Sequence, residues 1–212
     1  MASTAQVAQL SKFYVSGTAG TALSITGITK ATSAVVTAAN TLAAGDVVVF
    51  GAVTGMPEIA GRLGVVSVPT GTSFTVNIDS SGFAAVGTTG AATPQTFSKV
   101  GNVTDITPDG GSVTSIDVTN LDSIAKEKRP GLQDMGKVAI KFATDDTDAG
   151  QLALIAGRAS QAVLLFKHVY PGGIKVRTFQ GFVEKVTDPV AGVDKVLESD
   201  ASIVITGPIS RG

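Results

Sequence analysis

Short runs rich in Val, Thr and Ile, separated by glycine and other turn-forming residues, recur along most of this 212-residue chain. Such residues fit the pleated surface of a sheet, and the breaks between the runs supply turns. This pattern leaves little room for helices and predicts a mostly β fold. The predicted strands are 4–15, 34–37, 46–50, 63–68, 73–78, 97–106, 113–119, 137–142, 162–169, 175–186 and 202–206.

One segment departs from the strand pattern. Asp145, Asp146 and Asp148 precede a run in which Leu152 and Ile155 recur at helical spacing. Acidic residues are favoured at a helix N-terminus because they cap free amides and interact with the helix dipole. The sequence therefore predicts one α-helix, at about 147–159.

Charge is distributed unevenly and indicates two domains. Residues 21–95 hold only five charged side chains, in a background of Gly, Ala, Thr and Val, whereas the flanking segments carry nearly all the charge. The edges of this block are rich in small, turn-prone residues, as domain boundaries tend to be. We predict a discontinuous domain formed by 1–20 and 96–212, with a small all-β domain inserted at 21–95.

Composition excludes several classes of protein. The formal net charge is -1, so there is no basic excess of the kind that binds nucleic acid. Cysteine is absent, which removes disulfides, thiol nucleophiles and thiolate metal sites. No signal peptide and no membrane-spanning run is visible, so we expect synthesis and assembly in the cytoplasm of the host cell, without membrane insertion.

Few residues suggest catalytic or metal-binding chemistry. The single histidine, His168, has no nucleophile or carboxylate signature around it, and an ordinary strand histidine is the favoured interpretation. The DDTD run at 145–148 resembles the start of a calcium loop but lacks the glutamate at position twelve, so helix capping is preferred. A hydrolase using these carboxylates is a weaker alternative. The sequence predicts no catalytic residue, cofactor or metal.

The connection at 121–136 is the most unusual segment. The two predicted strands that flank it, 113–119 and 137–142, are expected to pair as a hairpin. A hairpin connection usually has two to five residues, whereas this one has some sixteen. Its many charges prevent it from burying itself. A long, charged connection of this kind is normally either functional or disordered. Its charged residues are Asp122, Lys126, Glu127, Lys128, Arg129 and Asp134, and its apolar ones are Leu121, Ile124, Leu132 and Met135.

Several segments, taken together and in order, resemble the major tail tube protein of long-tailed, non-contractile bacteriophages. They are QVAQLSKFYVSG at 6–17, FSKVGNVTDITPDGGSVTSIDVTNLDS at 97–123, RPGLQDMGKVAIKF at 129–142, DDTDAGQLAL at 145–154, TFQGFVEKVTDPV at 178–190 and ASIVITGP at 201–208. The block between the first two, with LAAGD at 42–46, is similar to a small β module seen in phage structural proteins.

The resemblance implies a β-sandwich or barrel-like fold with one helix and a structural function in the virion. Subunits of that family form hexameric rings that stack into a tube, through which DNA is delivered to the host. Tape measure, tail terminator and tail tip proteins are the implied partners. The resemblance also implies that the long loop reaches an adjacent ring and orders on assembly, so residues 121–136 should be disordered or mobile in the monomer and structured in the tube. We therefore assign inter-ring contact to Asp122, Ile124, Lys126, Glu127, Lys128, Arg129, Leu132 and Asp134.

Two further expectations concern surfaces. DNA must slide through such a tube, so the inner wall should be neutral or acidic, with 113–119 and 137–142 facing inward on alternate residues and Asp117 as a candidate wall residue. The alternative function is an adhesin-like module in which 21–95 recognises a host glycan. Only Phe50, Phe74 and Phe83 would be available there to stack on sugars.

Overall fold

A computed structural model describes residues 10–85, 89–173, 175–187 and 195–211. The chain is mostly β with one α-helix, as predicted. The helix, α1, spans Ala149–Ser160. The strands are β1 Lys12–Ala19, β2 Leu23–Ile25, β3 Gly27–Ile28, β4 Val35–Thr37, β5 Val47–Val53, β6 Leu63–Thr70, β7 Ser73–Val76, β8 Gly90–Lys99, β9 Val103–Pro108, β10 Ser112–Asp117, β11 Lys128–Asp134, β12 Lys137–Ala143, β13 Val163–Val169, β14 Val176–Val186 and β15 Glu198–Arg211.

Thirteen of the described strands join into one curled sheet, and β10 and β11 form a separate pair. The order in the large sheet is β3-β4-β7-β6-β5-β8-β1-β13-β14-β15-β12-β9, with β2 also paired to β8. All described pairings are antiparallel. Strand β8 links the two halves of the sheet, because it pairs with β5 on one side and β1 on the other. No helix among the described residues is long and apolar enough to cross a bilayer.

Two hydrophobic clusters fill the two halves. The first draws all its buried members from residues 25–92 and centres on Phe50, Phe74 and Met56. The second lies outside that range and includes Phe13, Phe166 and other side chains of β1 and β12–β15. Each cluster arises because alternate residues of a strand point to the same face, as in β12, where every second side chain is buried.

Helix α1 packs against β14, β1 and β8 and begins as the sequence predicts. Asp148 is the N-cap, and its side chain accepts a hydrogen bond from the Gln151 backbone amide at 2.8 Å. Capping by the DDTD run is therefore confirmed. The helix ends at Gln161, whose left-handed φ of 53° closes the last turn.

After β1 the chain leaves the half of the sheet that contains β1 and returns to it, at β8, at nearly the same point. The Gly20 amide donates a hydrogen bond to the Pro94 carbonyl at 2.8 Å. A second link joins the far side of this segment to the C-terminal strand, where the Asn77 side chain donates to Ser210 Oγ at 2.9 Å and to the Arg211 carbonyl at 2.8 Å. The predicted boundary at 95/96 lies inside β8.

Two strand predictions differ from the structure. The run 97–106 is two strands, β8 and β9, separated by a turn in which Asn102 has a φ of 55°. For the run 4–15, residues 4–9 lie outside the described residues, and β1 begins only at Lys12. The remaining predicted strands coincide with observed ones to within a few residues, apart from β15, which extends well beyond 202–206 at both ends.

Candidate assembly surfaces

Strands β10 and β11 form a two-stranded hairpin (residues 112–134) that stands apart from the main sheet. Ile116 pairs with Arg129, and Asp117 pairs with Lys128. Two expectations were wrong. The strands 113–119 and 137–142 are not partners, because β12 pairs with β9 and β15. The connection is not structureless either, since its second half is β11.

The hairpin exposes an unusual amount of apolar surface. Every residue of β10 is exposed, and β11 has only one partly buried position, Gly131. Leu121 and Ile124 are fully exposed, and the Leu132 side chain is 90% exposed. A two-stranded hairpin with no covered face is marginally stable alone, and exposed apolar clusters mark interaction sites.

The residues assigned to inter-ring contact all lie on this hairpin. The hairpin tip (residues 118–127) is closed at its base by a hydrogen bond from the Val118 amide to the Glu127 carbonyl, at 3.0 Å. Of the assigned residues, the tip holds Asp122, Ile124, Lys126 and Glu127, and β11 holds Lys128, Arg129, Leu132 and Asp134.

Asp117 ends β10, just before the tip. Its carboxylate accepts hydrogen bonds from the Thr119 hydroxyl and from the Thr119 amide. These bonds hold the pKa of Asp117 below its usual value, the hydroxyl being the larger cause. Asp117 therefore keeps its negative charge, but it lies on the hairpin and not on the main sheet.

The outer face of β9, β12 and β15 (here the polar face) is a broad exposed surface on the main sheet. In β12, Lys137, Ala139 and Lys141 are exposed while the residues between them are buried. The register places Lys141 between Asp105 of β9 and Asp200 of β15. By register and contact, the polar face has more carboxylates than lysines, namely Asp105, Glu184, Glu198 and Asp200 against Lys137, Lys141 and Lys185.

The lysines of the polar face are balanced by neighbouring acids. Lys137 Nζ lies 2.8 Å from Glu184 Oε2. This contact is the main reason that the pKa of Glu184 is lowered. Asp105, Glu184 and Asp200 come from three different strands, so no local sequence signal indicates that they surround two lysines. Only the position of Lys137 and Lys141 on one side of β12 follows from the local sequence, because side chains alternate along a strand.

The residues considered above for catalysis or for sugar binding lie within the β-sheet and its packing. His168 lies in β13. Phe50 and Phe74 are fully buried in the first hydrophobic cluster, and the Phe83 ring lies under the Arg62 guanidinium at 4.7 Å. Phe50 and Phe74 are therefore not available to stack on a sugar, and one face of the partly buried Phe83 ring is covered by Arg62. The described residues contain no group of three or more side chains suited to bind a metal ion.

The sequence matches the family of phage tail tube proteins, TTP, over residues 54–212. The chain belongs to this family. The match covers well over half of the chain and includes the hairpin, α1 and the polar face. This tail tube protein is thus a structural component of a bacteriophage tail. The match also begins inside the segment 21–95.

Other comparisons add little to this assignment. The tail tube protein is similar to a chain of the anti-feeding prophage (AFP) baseplate, a cryo-EM structure with sixfold symmetrisation, at 7% identity and a TM-score of 0.37. The similarity covers 81% of this chain and 95% of that one. It is too distant to bear on fold or function. No curated protein matches the chain.

Proposed function

We propose that this protein assembles into hexameric rings that stack into the tail tube of a siphophage-like virion, through which DNA passes to the host. Tape measure, tail terminator and tail tip proteins are its partners, and it has no enzymatic activity. Residues 21–95 form an inserted domain. This last assignment is supported by the two separate cores and by the contact between Gly20 and Pro94.

The exposed hairpin carries this proposal. Leu121 and Ile124 at its tip have no contact that removes them from water, and fully burying a leucine or isoleucine is worth roughly 1.5–3 kcal/mol. Lysines, arginine and acids interleave with them, so a complementary surface on an adjacent ring would fix the register. A net charge of -1 per subunit adds little repulsion between copies.

Self-assembly is the first expected result. Concentrated purified protein should form rings and tubes in negative-stain electron micrographs, and class averages of end views should show sixfold symmetry. Exposed strand edges and the hairpin supply the contacts. Rings of another rotational order would contradict the hexamer, and a protein that stays monomeric at high concentration would contradict self-assembly itself.

We assign the wall of the tube to the polar face, whose excess of carboxylates suits passage of DNA. Ala139 tests this assignment because it is exposed and its cross-strand neighbours, Thr107 and Ser202, are uncharged. Ala139→Lys should leave folding and assembly intact but make tubes retain DNA, with retention falling as salt rises, since added lysines displace counterions from phosphate. Cosedimentation of DNA with tubes measures this.

Ala139→Gln is the matched control, since it has a similarly long side chain without the charge. Tubes of the Gln variant should release DNA as the wild type does. If the Lys and Gln variants retain DNA equally, the polar face does not line the channel.

A further inference from the structure

A cavity at the end of the second hydrophobic cluster has an unusual concentration of positive charge. It has a volume of about 220 Å³ and lies between the ends of β13–β15 and the base of the hairpin. A volume of about 30 Å³ per water molecule gives it room for a small polyatomic ion with its hydration. Its apolar lining includes Phe13, Phe179 and Ile205.

Three basic residues stand side by side on this cavity. His168 of β13 pairs with Arg177 of β14, and Arg177 pairs with Arg211 of β15, so they form one row across three adjacent strands. Directly opposed residues of antiparallel strands point to the same face, and all three side chains line the cavity. We call them the basic row.

The basic row has little to neutralise it. Asp109, in the turn after β9, is the only carboxylate lining the cavity among the described residues. It shares the cavity lining with the two arginines, but among the described residues it forms no ion pair with either of them. The cavity therefore keeps a net positive charge.

The His168 side chain independently indicates that a hydrogen-bonding ligand is missing from the cavity. Its Nε2 atom is buried and has no hydrogen-bond partner among the described residues. A buried polar atom left unpaired costs about 1–3 kcal/mol, so such an atom calls for an explanation. Burial, and then the charge of Arg177, lower the pKa of His168. The Tyr170 ring, 4.4 Å from the imidazole, helps to hold it in place.

We propose that the cavity binds an anionic oxygen group, a carboxylate or a phosphate, between Arg177 and Arg211, with His168 donating a hydrogen bond from Nε2. A guanidinium group can donate two parallel hydrogen bonds to two such oxygens. Apolar walls strengthen the attraction by excluding water. The group is either a free ion or a carboxylate of a second copy of this chain. Only Gln133, at the base of the hairpin, is shared with the hairpin, and the site does not depend on tube formation.

The single histidine makes the test direct, because the full-length protein gives one imidazole signal by NMR. Without an anion, the neighbouring Arg177 disfavours the imidazolium; a bound anion favours it and should raise the His168 pKa. Inorganic phosphate should therefore shift the His168 resonance saturably and raise its pKa. Sodium chloride at matched ionic strength should do neither.

Arginine variants test whether phosphate shifts the His168 resonance by binding in the cavity. Arg177→Gln and, separately, Arg211→Gln should each weaken phosphate binding about tenfold or more, because each removes a charge-assisted hydrogen bond. Arg158→Gln makes the same charge change on the exposed side of α1, outside the cavity lining, and should bind phosphate like the wild type. Two arginine variants are used so that misfolding of one, checked by its unfolding midpoint, leaves the other informative.

Varying the protein concentration distinguishes the two possible sources of the anionic group. A shift that needs phosphate in dilute protein identifies a free ion. A shift that appears without phosphate as the protein is concentrated, and disappears in Arg177→Gln, identifies a carboxylate of a second copy. The proposal is overturned if the resonance shifts in neither case, or if the shift is unchanged in both arginine variants.

Discussion

Removing the hairpin tip should stop tube elongation while leaving the subunit folded. In the variant, Thr119–Lys126 is replaced by Asn-Gly, so that a two-residue turn connects Val118 to Glu127. These two residues already share a backbone hydrogen bond, and Asn-Gly forms the two-residue turn that suits a hairpin. The change deletes Leu121 and Ile124, so each subunit loses roughly 3–6 kcal/mol of potential apolar contact. Because a ring presents several copies at once, the loss multiplies.

Electron microscopy and sedimentation should show monomers or isolated rings in place of tubes. Leu121→Ser with Ile124→Ser keeps the length of the tip and should have the same effect if apolar contact drives stacking. Val68→Ser is the control, because Val68 is 60% exposed but lies on β6, far from the hairpin in sequence. Hydrogen exchange at residues 118–127 should be fast in monomer and slow in tubes. Normal tubes from the shortened variant would show that the tip does not join rings.

Gln151→Leu should destabilise the subunit strongly, because Gln151 is a buried polar link between α1 and the sheet. The side chain is 2% exposed, and its Oε1 accepts a hydrogen bond from the Asp145 amide at 2.8 Å. Its Nε2 donates to the carbonyls of Ala143 and Gly101, at 2.9 and 3.2 Å. Leucine has a similar size but leaves these three backbone groups unpaired. At about 1–3 kcal/mol for each, the free energy of unfolding should fall by about 3 kcal/mol or more.

Urea denaturation of the unassembled subunit measures this change. Ala156→Leu introduces the same side chain on the exposed side of α1, and it should change stability by no more than about 0.5 kcal/mol. If Gln151→Leu costs as little as the control, Gln151 does not link α1 to the ends of β8 and β12.

Local signals predicted most of the elements correctly. The helix was predicted because its capping aspartates and its apolar residues at helical spacing lie next to each other in the sequence. Strand β12 was predicted because one of its faces is buried, so apolar and polar residues alternate along it. Strand β11 was missed for the opposite reason. Its sequence, KRPGLQD, contains Pro and Gly and has no buried face, so no alternation marks it.

Strand partners depend on the whole fold and were not predictable from these runs. The pairing of 113–119 with 137–142 seemed natural because the two runs are successive, but β12 instead lies between β9 and β15. Sites built across strands were invisible for the same reason. Asp105 and Asp200 are far apart in sequence, as are His168 and Arg211, and only the register brings each pair together on one surface.

The hydrogen bond between Gly20 and Pro94 has a consequence for how such proteins diversify. Because the chain departs and returns at adjacent backbone atoms, the two ends of the segment between Gly20 and Pro94 must meet, and its other links to the rest of the sheet are few, such as the bonds from Asn77 to Ser210 and Arg211. Two crossovers, one near each of these points, would exchange this segment for another, and the register of β1 with β13 should be unchanged because neither strand lies within it. The same junction is a natural attachment point for foreign domains with neighbouring termini, displayed once per subunit at a fixed spacing.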